Sequence, residues 1–117
     1  MSILIVEDDD DLRELVKAML EMEDFHVQTA QHGREALERV REHMPDLILL
    51  DMKMPVMDGS SFALEFRARH GRSVPIVVIT AAQHAASRAL EIGASGWVAK
   101  PFGFDELISA VRSHLRA

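Results

Sequence analysis

The sequence predicts an α/β protein in which a parallel five-stranded sheet carries helices on both faces. Two observations support this fold class. Short aliphatic runs alternate with amphipathic segments along the chain, and turn-forming residues separate them. Strands separated by helices pair in parallel through right-handed crossovers. The expected architecture is therefore (βα)5, a doubly wound three-layer sandwich.

Five runs rich in aliphatic and β-branched residues are typical of strands that are covered on both faces. They span residues 3–6, 25–29, 46–50, 75–80 and 96–99.

The segments between these runs have the period of amphipathic helices, with apolar residues recurring every three or four positions. An alanine-rich segment predicts the fourth helix over residues 85–92. Glycine and proline lie at the junctions, as turns and helix ends favour. The periodic positions are Leu12, Leu15, Val16, Met19 and Leu20 in the first helix, Ala36, Leu37 and Val40 in the second, and Leu107, Ile108, Val111 and Leu115 in the last.

Length and composition limit what the protein can be. With 117 residues, 48% of them hydrophobic, the chain is expected to form one domain, 1–117, around one core. The absence of cysteine excludes disulfides and thiolate metal sites. No run is long enough to span a membrane, and no secretory signal is visible, so we expect a soluble, cytoplasmic protein without a membrane partner. A net charge of -6 with no cluster of Lys and Arg argues against direct nucleic-acid binding.

Five consecutive carboxylates, Glu7 to Asp11, follow the first buried run directly. Such charges repel one another, and burying an unpaired one is costly, so some function must require them at this position. Asp9 to Asp11 are expected to cap the first helix and to oppose the positive end of its dipole.

The residues that follow the strands are expected to form the functional site, because open parallel sheets bind ligands beyond the carboxyl ends of their strands. Glu7 and Asp8 follow the first strand and Asp51 the third, while Thr80 and Lys100 end the fourth and fifth. Three acids, a hydroxyl and an ammonium group should therefore converge at one edge.

The stretches ILIVEDD, DLILLDMKMPVMDG, IVVITA and GASGWVAKPF resemble the receiver domain of two-component response regulators, and the resemblance covers nearly the whole chain. It implies a flavodoxin-like fold with strand order 2-1-3-4-5 and a cis peptide bond between Lys100 and Pro101. It also implies that Asp51 accepts a phosphoryl group, that Thr80 is the switch hydroxyl, and that Lys100 is the lysine of the site.

The resemblance implies Mg²⁺ as cofactor, with Mn²⁺ as an alternative ion, and hard oxygen ligands suit both. Asp8 and Asp51 would bind the ion directly and Glu7 through water. The backbone carbonyl of Lys53 would fill a further position. Trp97 stands where the family more often has Tyr or Phe, at the position of its mobile switch aromatic.

The implied function is phosphoryl transfer from a phosphohistidine of a histidine kinase or histidine phosphotransfer protein. The module would then be a switch rather than an enzyme, with only self-directed transfer and autodephosphorylation. Its output would pass to a protein or domain outside this chain, through the fourth helix, fifth strand and fifth helix. The chain is either a whole regulator or the receiver part of a longer protein.

Two other function classes share these features in part: an enzyme, which would be a flavin protein or a phosphohydrolase, and a receiver used only for binding. A flavin protein would need Ser, Thr or Gly in the loop after the first strand, where this chain is acidic. A phosphohydrolase with an aspartyl nucleophile would need a second carboxylate two residues after Asp51, where MKMP follows. A degenerate receiver used only for binding would have lost acceptor or metal residues, and this chain keeps them all.

Other conspicuous residues have structural interpretations. Met52, Met54 and Met57 are expected to pack beside Asp51. Phe102, Phe104 and Leu107 should anchor the last helix to the core. The histidines have no metal-ligand spacing; they are His26, His32, His43, His70, His84 and His114.

Overall fold

A computed structural model describes residues 1–52, 56–81, 83 and 85–115, so that Lys53, Met54 and His84 lie outside the described residues. Five strands alternate with five helices along the chain. The strands are β1 (Ser2–Val6), β2 (His26–Ala30), β3 (Leu47–Asp51), β4 (Ile76–Ala81) and β5 (Gly96–Lys100). The helices are α1 (Asp10–Met22), α2 (Gly33–Glu42), α3 (Gly59–His70), α4 (Ala85–Ile92) and α5 (Phe104–His114).

The strands form one parallel sheet in the order β2-β1-β3-β4-β5. The predicted fold class, strand order and fourth helix are therefore confirmed. Each predicted strand matches an observed one, with ends that differ by one residue at most. The register places Asp51 beside Ile79 of β4, and Thr80 beside Ala99 of β5. The side chains that end β3, β4 and β5 consequently reach the same edge of the sheet.

The central strands are buried on both faces, and alternate residues contribute to two apolar layers. On one face, β-strand residues pack against α1 and α5; on the other, they pack against α2, α3 and α4. The first layer includes Ile3, Ile5, Val16, Leu20, Leu47, Leu49, Ile79, Leu107 and Val111. The second includes Leu4, Val6, Ala36, Val40, Ile48, Leu50, Phe62, Phe66, Val78 and Ala89.

No helix in the described part of the chain is long and apolar enough to cross a bilayer.

Helix α1 differs from its predicted apolar face at one position. Val16 and Leu20 are buried, but Leu15 is 51% exposed. The buried face of α1 is narrower than the apolar pattern because the helix contacts the sheet on one side only. Leu15 follows the helical period, as predicted, but lies outside the core.

The start of α3 lies in close contact with the backbone at the end of β3. Asp58 caps α3 by accepting a hydrogen bond from the Ser61 amide at 2.8 Å. A Cβ atom at Gly59 would lie 2.8 Å from the Asp51 carbonyl oxygen, so only glycine fits there. Met52 is buried and Met57 packs against the same core, as predicted for both. These contacts hold the end of β3 in place.

Other local predictions are also confirmed. Asp9 caps α1 by accepting from the Leu12 amide at 3.0 Å. The Lys100–Pro101 peptide bond is cis. Leu107 is buried, and Phe102 and Phe104 pack against the same core as α5.

Candidate functional site

Five of the predicted site residues line one cleft at the carboxyl edge of the sheet. Glu7 and Asp8 reach it from the end of β1, Asp51 from β3, Thr80 from β4 and Lys100 from β5. The cleft has a volume of about 390 Å³ and is open on one side. Its other described lining residues are Asp9, Ala81, Gln83 and Arg88.

Three carboxylates in the cleft form a group that fits a divalent cation. Glu7, Asp8 and Asp51 each offer an oxygen atom, and these atoms lie within 4.8 Å of one another. In an octahedral Mg²⁺ site, with Mg–O distances of about 2.1 Å, opposite ligand oxygens are about 4.2 Å apart. Hard carboxylate oxygens so spaced suit Mg²⁺ after a small contraction. None of the described histidines belongs to this group, and Lys53, whose carbonyl was predicted as a further ligand, lies outside the described residues.

Lys100 bridges the two buried acids of the cleft. Its Nζ atom lies 3.3 Å from Oε1 of Glu7 and 3.4 Å from Oδ1 of Asp51. Partial burial lowers the pKa of Lys100, but the nearby Asp51 and Glu7 carboxylates outweigh this effect and raise it. The ammonium group therefore stays charged and offsets part of the acidic cluster.

Burial dominates the electrostatics of the two carboxyl groups beside Lys100. Glu7 is only 2% exposed and Asp51 only 4%. Burial, together with the negative charge of Asp51, raises the pKa of Glu7 from 4.5 to about 7, although the Asp9 amide and Lys100 oppose the shift. Burial likewise raises the pKa of Asp51, against the effects of Lys100 and Glu7. Burial thus opposes the ionisation of both acids in metal-free solution.

Thr80 and Trp97 lie at different depths. Thr80 is buried and lines the cleft, so its hydroxyl is available to a group bound at Asp51. Trp97 lies on β5 beside Val78, is 51% exposed and does not line the cleft. The structure therefore brings together Glu7, Asp8, Asp51, Thr80 and Lys100, with Trp97 outside the cleft.

Sequence reasoning missed two arginines that support the site. Arg13 is buried, and its Nη1 atom donates to the Glu7 carbonyl at 3.0 Å while its other terminal nitrogen pairs with Asp10. Arg13 thereby connects the acidic residues that follow β1 to helix α1. The spacing of Asp10 and Arg13, three residues apart on a helix, was the available signal. Arg88 of α4 has an acid at the same spacing, Glu91, but that spacing does not indicate that Arg88 lines the cleft.

The raised pKa of Glu7 predicts a stability that falls with rising pH. In metal-free buffer the folded protein retains a proton on Glu7 between about pH 4.5 and 7 that the unfolded chain releases. Because the folded state binds more protons, the free energy of unfolding should decrease across this range and level off above it. Asp51, whose pKa is also raised, acts in the same direction. The decrease due to Glu7 should not exceed about 3 kcal/mol.

Denaturant unfolding of Glu7→Gln between pH 5 and 8 tests this prediction. The neutral amide cannot ionise, so the variant should have a flatter stability profile than wild type and be more stable at pH 8. Glu14→Gln, which changes an exposed carboxylate on α1, is the control and should keep the wild-type profile. A Glu7→Gln profile as steep as that of wild type would contradict the assignment of the raised pKa.

Comparisons with known proteins agree with this geometry. A family model for the response regulator receiver domain matches residues 3–112. The chain is 37% identical over 116 residues to the response regulator MprA of Mycolicibacterium vanbaalenii, and 39% identical over 116 residues to the transcriptional regulatory protein PrrA of Mycobacterium tuberculosis. These matches cover 97% of this chain but 50% and 49% of the relatives, so the chain spans about half the length of the curated relatives it matches.

A solved structure gives the same result for the fold. The chemotaxis protein CheY4 of Vibrio cholerae has a TM-score of 0.89 at 31% identity, with 97% of this chain and 98% of that chain covered. The similarity therefore extends over nearly the whole of both chains.

Proposed function

Since the chain belongs to the response regulator receiver domain family, a family of phosphoacceptor switches in two-component signalling, we propose that Asp51 is its phosphoacceptor and that residues 1–117 form one receiver domain. The observation that carries the proposal is the environment of Asp51. Its carboxylate lies at the floor of the cleft, 3.4 Å from the Lys100 ammonium and within 4.8 Å of two further acids.

The proposed reaction transfers a phosphoryl group from a phosphohistidine to Asp51. A carboxylate oxygen of Asp51 forms a bond to phosphorus while the bond from phosphorus to the donor imidazole nitrogen breaks. The imidazole leaves with the electron pair and is protonated. The product is an acyl phosphate, which water hydrolyses to free phosphate and the original carboxylate. Such a step needs positioning and charge stabilisation more than covalent assistance.

The residues of the cleft supply that stabilisation. Glu7 holds the Lys100 ammonium group beside the attacking carboxylate. From there the ammonium group can donate hydrogen bonds to the phosphoryl oxygens as negative charge develops on them. Thr80 can donate its hydroxyl hydrogen to one of these oxygens. Glu7, Asp8 and Asp51 are the residues that would hold Mg²⁺, with Asp8 and Asp51 as direct ligands. When bound, Mg²⁺ supplies positive charge that offsets the repulsion between the carboxylates and the incoming group.

The proposed reaction implies two partners, a phosphoryl donor and an output protein or domain. The donor is a protein that carries a phosphohistidine, and the output is a protein or domain that recognises the phosphorylated form. Two matched relatives are named as regulators and extend well beyond this chain, which supports an output domain in longer proteins. For this chain alone, we propose signalling by protein contacts, since none of its segments has a cluster of basic residues.

Intact-mass measurement tests the assignment of the function. Incubation with a small phosphodonor and Mg²⁺ should add one phosphoryl group, and chelation of the metal should prevent the addition. The modification should be labile to hydroxylamine, as expected for an acyl phosphate. An unmodified mass under conditions in which the protein is folded and binds Mg²⁺ would contradict the proposal.

Trp97 offers a second test, because it is the only tryptophan in the chain. We propose that its ring moves inward when the Thr80 hydroxyl turns to the phosphoryl group. An indole needs a partner for its N–H when buried, so a partial shift is expected. Phosphorylation should therefore change Trp97 emission in wild type but not in Thr80→Ala that is phosphorylated to the same extent.

Thr29→Ala is the matched control, since Thr29 lies on β2 and does not line the cleft. It should keep the wild-type change in emission. Mass spectra must be recorded alongside, because Mg²⁺ alone could alter fluorescence. Full phosphorylation with no change in emission or in solvent quenching would rule out an aromatic switch at this position.

A further inference from the structure

Arg88 brings a second cationic side chain to the cleft, from an element that contributes none of the predicted site residues. Among the described lining residues, four are acidic, namely Glu7, Asp8, Asp9 and Asp51, and two are basic, Lys100 and Arg88. Lys100 approaches from β5 and Arg88 from α4. The two cations therefore enter the cleft from different elements of the fold.

Lys100 and Arg88 pair with different groups. Lys100 contacts both buried carboxylates of the floor, Glu7 and Asp51. Arg88 pairs instead with Glu91 of its own helix, at 3.6 Å between Nη1 and Oε2, and the two side chains are 39% and 58% exposed. An exposed pair of this length contributes little to stability. The Arg88 guanidinium can therefore exchange this partner for another at small cost.

The positive charge of Arg88 also acts on Asp58, the residue that precedes α3. The pKa of Asp58 is lowered, mainly by hydrogen bonds from the Ser61 amide and hydroxyl, and further by the positive charge of Arg88. The Arg88 side chain lines the cleft, and its charge also acts on Asp58. A group attached to Asp51 would project into the space that this side chain borders.

Phosphorylation of Asp51 makes the cleft more negative, and this favours binding of the Arg88 guanidinium group. The Asp51 carboxylate carries one negative charge, whereas a phosphoryl group carries about 1.5 to 2 and presents three acceptor oxygens. We propose that Arg88 is a second phosphoryl-binding cation, whose guanidinium leaves Glu91 and binds the phosphoryl oxygens on Asp51. The inference rests on the proposed function, because it requires Asp51 to be the acceptor.

The geometry of the side chain suits this role. A guanidinium group can bind two oxygens of a phosphoryl group with parallel hydrogen bonds, which an ammonium group cannot do. Lys100 and the carboxylates that would hold a cation line the cleft from the ends of the strands, while Arg88 lines it from α4. Because Arg88 belongs to α4, its change of partner makes this helix respond directly to the charge at Asp51.

Binding of the beryllium trifluoride anion, an analogue of a phosphoryl group on a carboxylate, tests the proposal. The bound fraction is measured by ¹⁹F NMR as the beryllium fluoride concentration is raised at fixed Mg²⁺. Arg88→Ala should bind about tenfold more weakly than wild type, as expected for loss of a charge-assisted hydrogen-bonded contact. Arg88→Lys should be intermediate. Glu91→Gln should bind more tightly, by about twofold, because the competing partner is removed.

Arg69→Ala is the matched control, since Arg69 is also a partly exposed helix arginine, paired with Glu65 at 2.7 Å, and does not line this cleft. It should bind like wild type. Arg88→Ala with wild-type affinity, or Arg69→Ala as weak as Arg88→Ala, would overturn the proposal. Phosphorylation of wild-type Asp51 is measured in parallel by intact mass. Its absence would reject the proposed function, whereas its presence with unaltered binding by Arg88→Ala would reject the role of Arg88 alone.

Discussion

Asp51→Asn is expected to keep its unmodified mass when it is incubated with a phosphodonor and Mg²⁺ under conditions that phosphorylate the wild-type protein fully. The amide has no anionic oxygen to attack phosphorus, so loss of the reaction should be complete. The variant should still fold, because the amide removes a charge from a cluster that is largely buried and repulsive. Circular dichroism and thermal unfolding check that point.

Asp9→Asn is the matched control for this experiment. Asp9 belongs to the same acidic run and lines the same cleft, but its side chain caps α1. Asparagine caps helices as well as aspartate does. Asp9→Asn should therefore be phosphorylated like wild type. Phosphorylation that persists in Asp51→Asn would show that another residue is the nucleophile.

Asp8→Asn should remove about half or more of the stabilisation of the folded protein by Mg²⁺. In wild type, an ion bound by Glu7, Asp8 and Asp51 stabilises the folded state by mass action, by about 2.7 kcal/mol at a concentration one hundred times the dissociation constant. Removing the charge of Asp8 should weaken Mg²⁺ binding at least about tenfold, since a direct carboxylate ligand is lost. The same change should stabilise the metal-free protein, because it relieves repulsion at the cleft.

Thermal unfolding over a series of Mg²⁺ concentrations measures both effects. Asp11→Asn, at an exposed position in the first turn of α1, is the control and should respond to Mg²⁺ as wild type does. Asp8→Asn should therefore make the metal-free protein more stable and, at the same time, make its stability respond less to Mg²⁺. If Asp8→Asn left both the metal-free stability and the Mg²⁺ response unchanged, Asp8 would not be a metal ligand.

The fold and the main members of the site could be predicted from sequence for related physical reasons. Buried parallel strands require continuous aliphatic runs, such as Leu47 to Leu50, and these are visible without any tertiary information. A polar residue directly after such a run lies at the carboxyl edge of the sheet. Glu7, Asp51 and Lys100 were therefore placed in one site by their positions relative to the strands, and the structure brings them within hydrogen-bonding distance.

Several features depend on contacts that no local pattern encodes. Leu15 satisfies the helical period of α1 but is exposed, because the width of the buried face depends on which elements cover the helix. Arg13 is buried because its guanidinium reaches the Glu7 carbonyl, a contact that exists only once α1 packs beside β1. Val56 adopts φ of 67°, which is unfavourable for a β-branched residue and which the local sequence does not indicate.

The sequence by itself determined the sheet, its alternation with helices and the chemistry at the strand ends, because these follow from hydrophobic periodicity and from residue positions along each strand. Only the tertiary structure decided the charge balance of the cleft. The raised pKa of Glu7 results from burial and from the proximity of Asp51, and Arg88 enters the cleft because α4 packs beside the sheet. Such effects depend on distances between residues that are remote in the chain, and these distances are set only when the elements pack together.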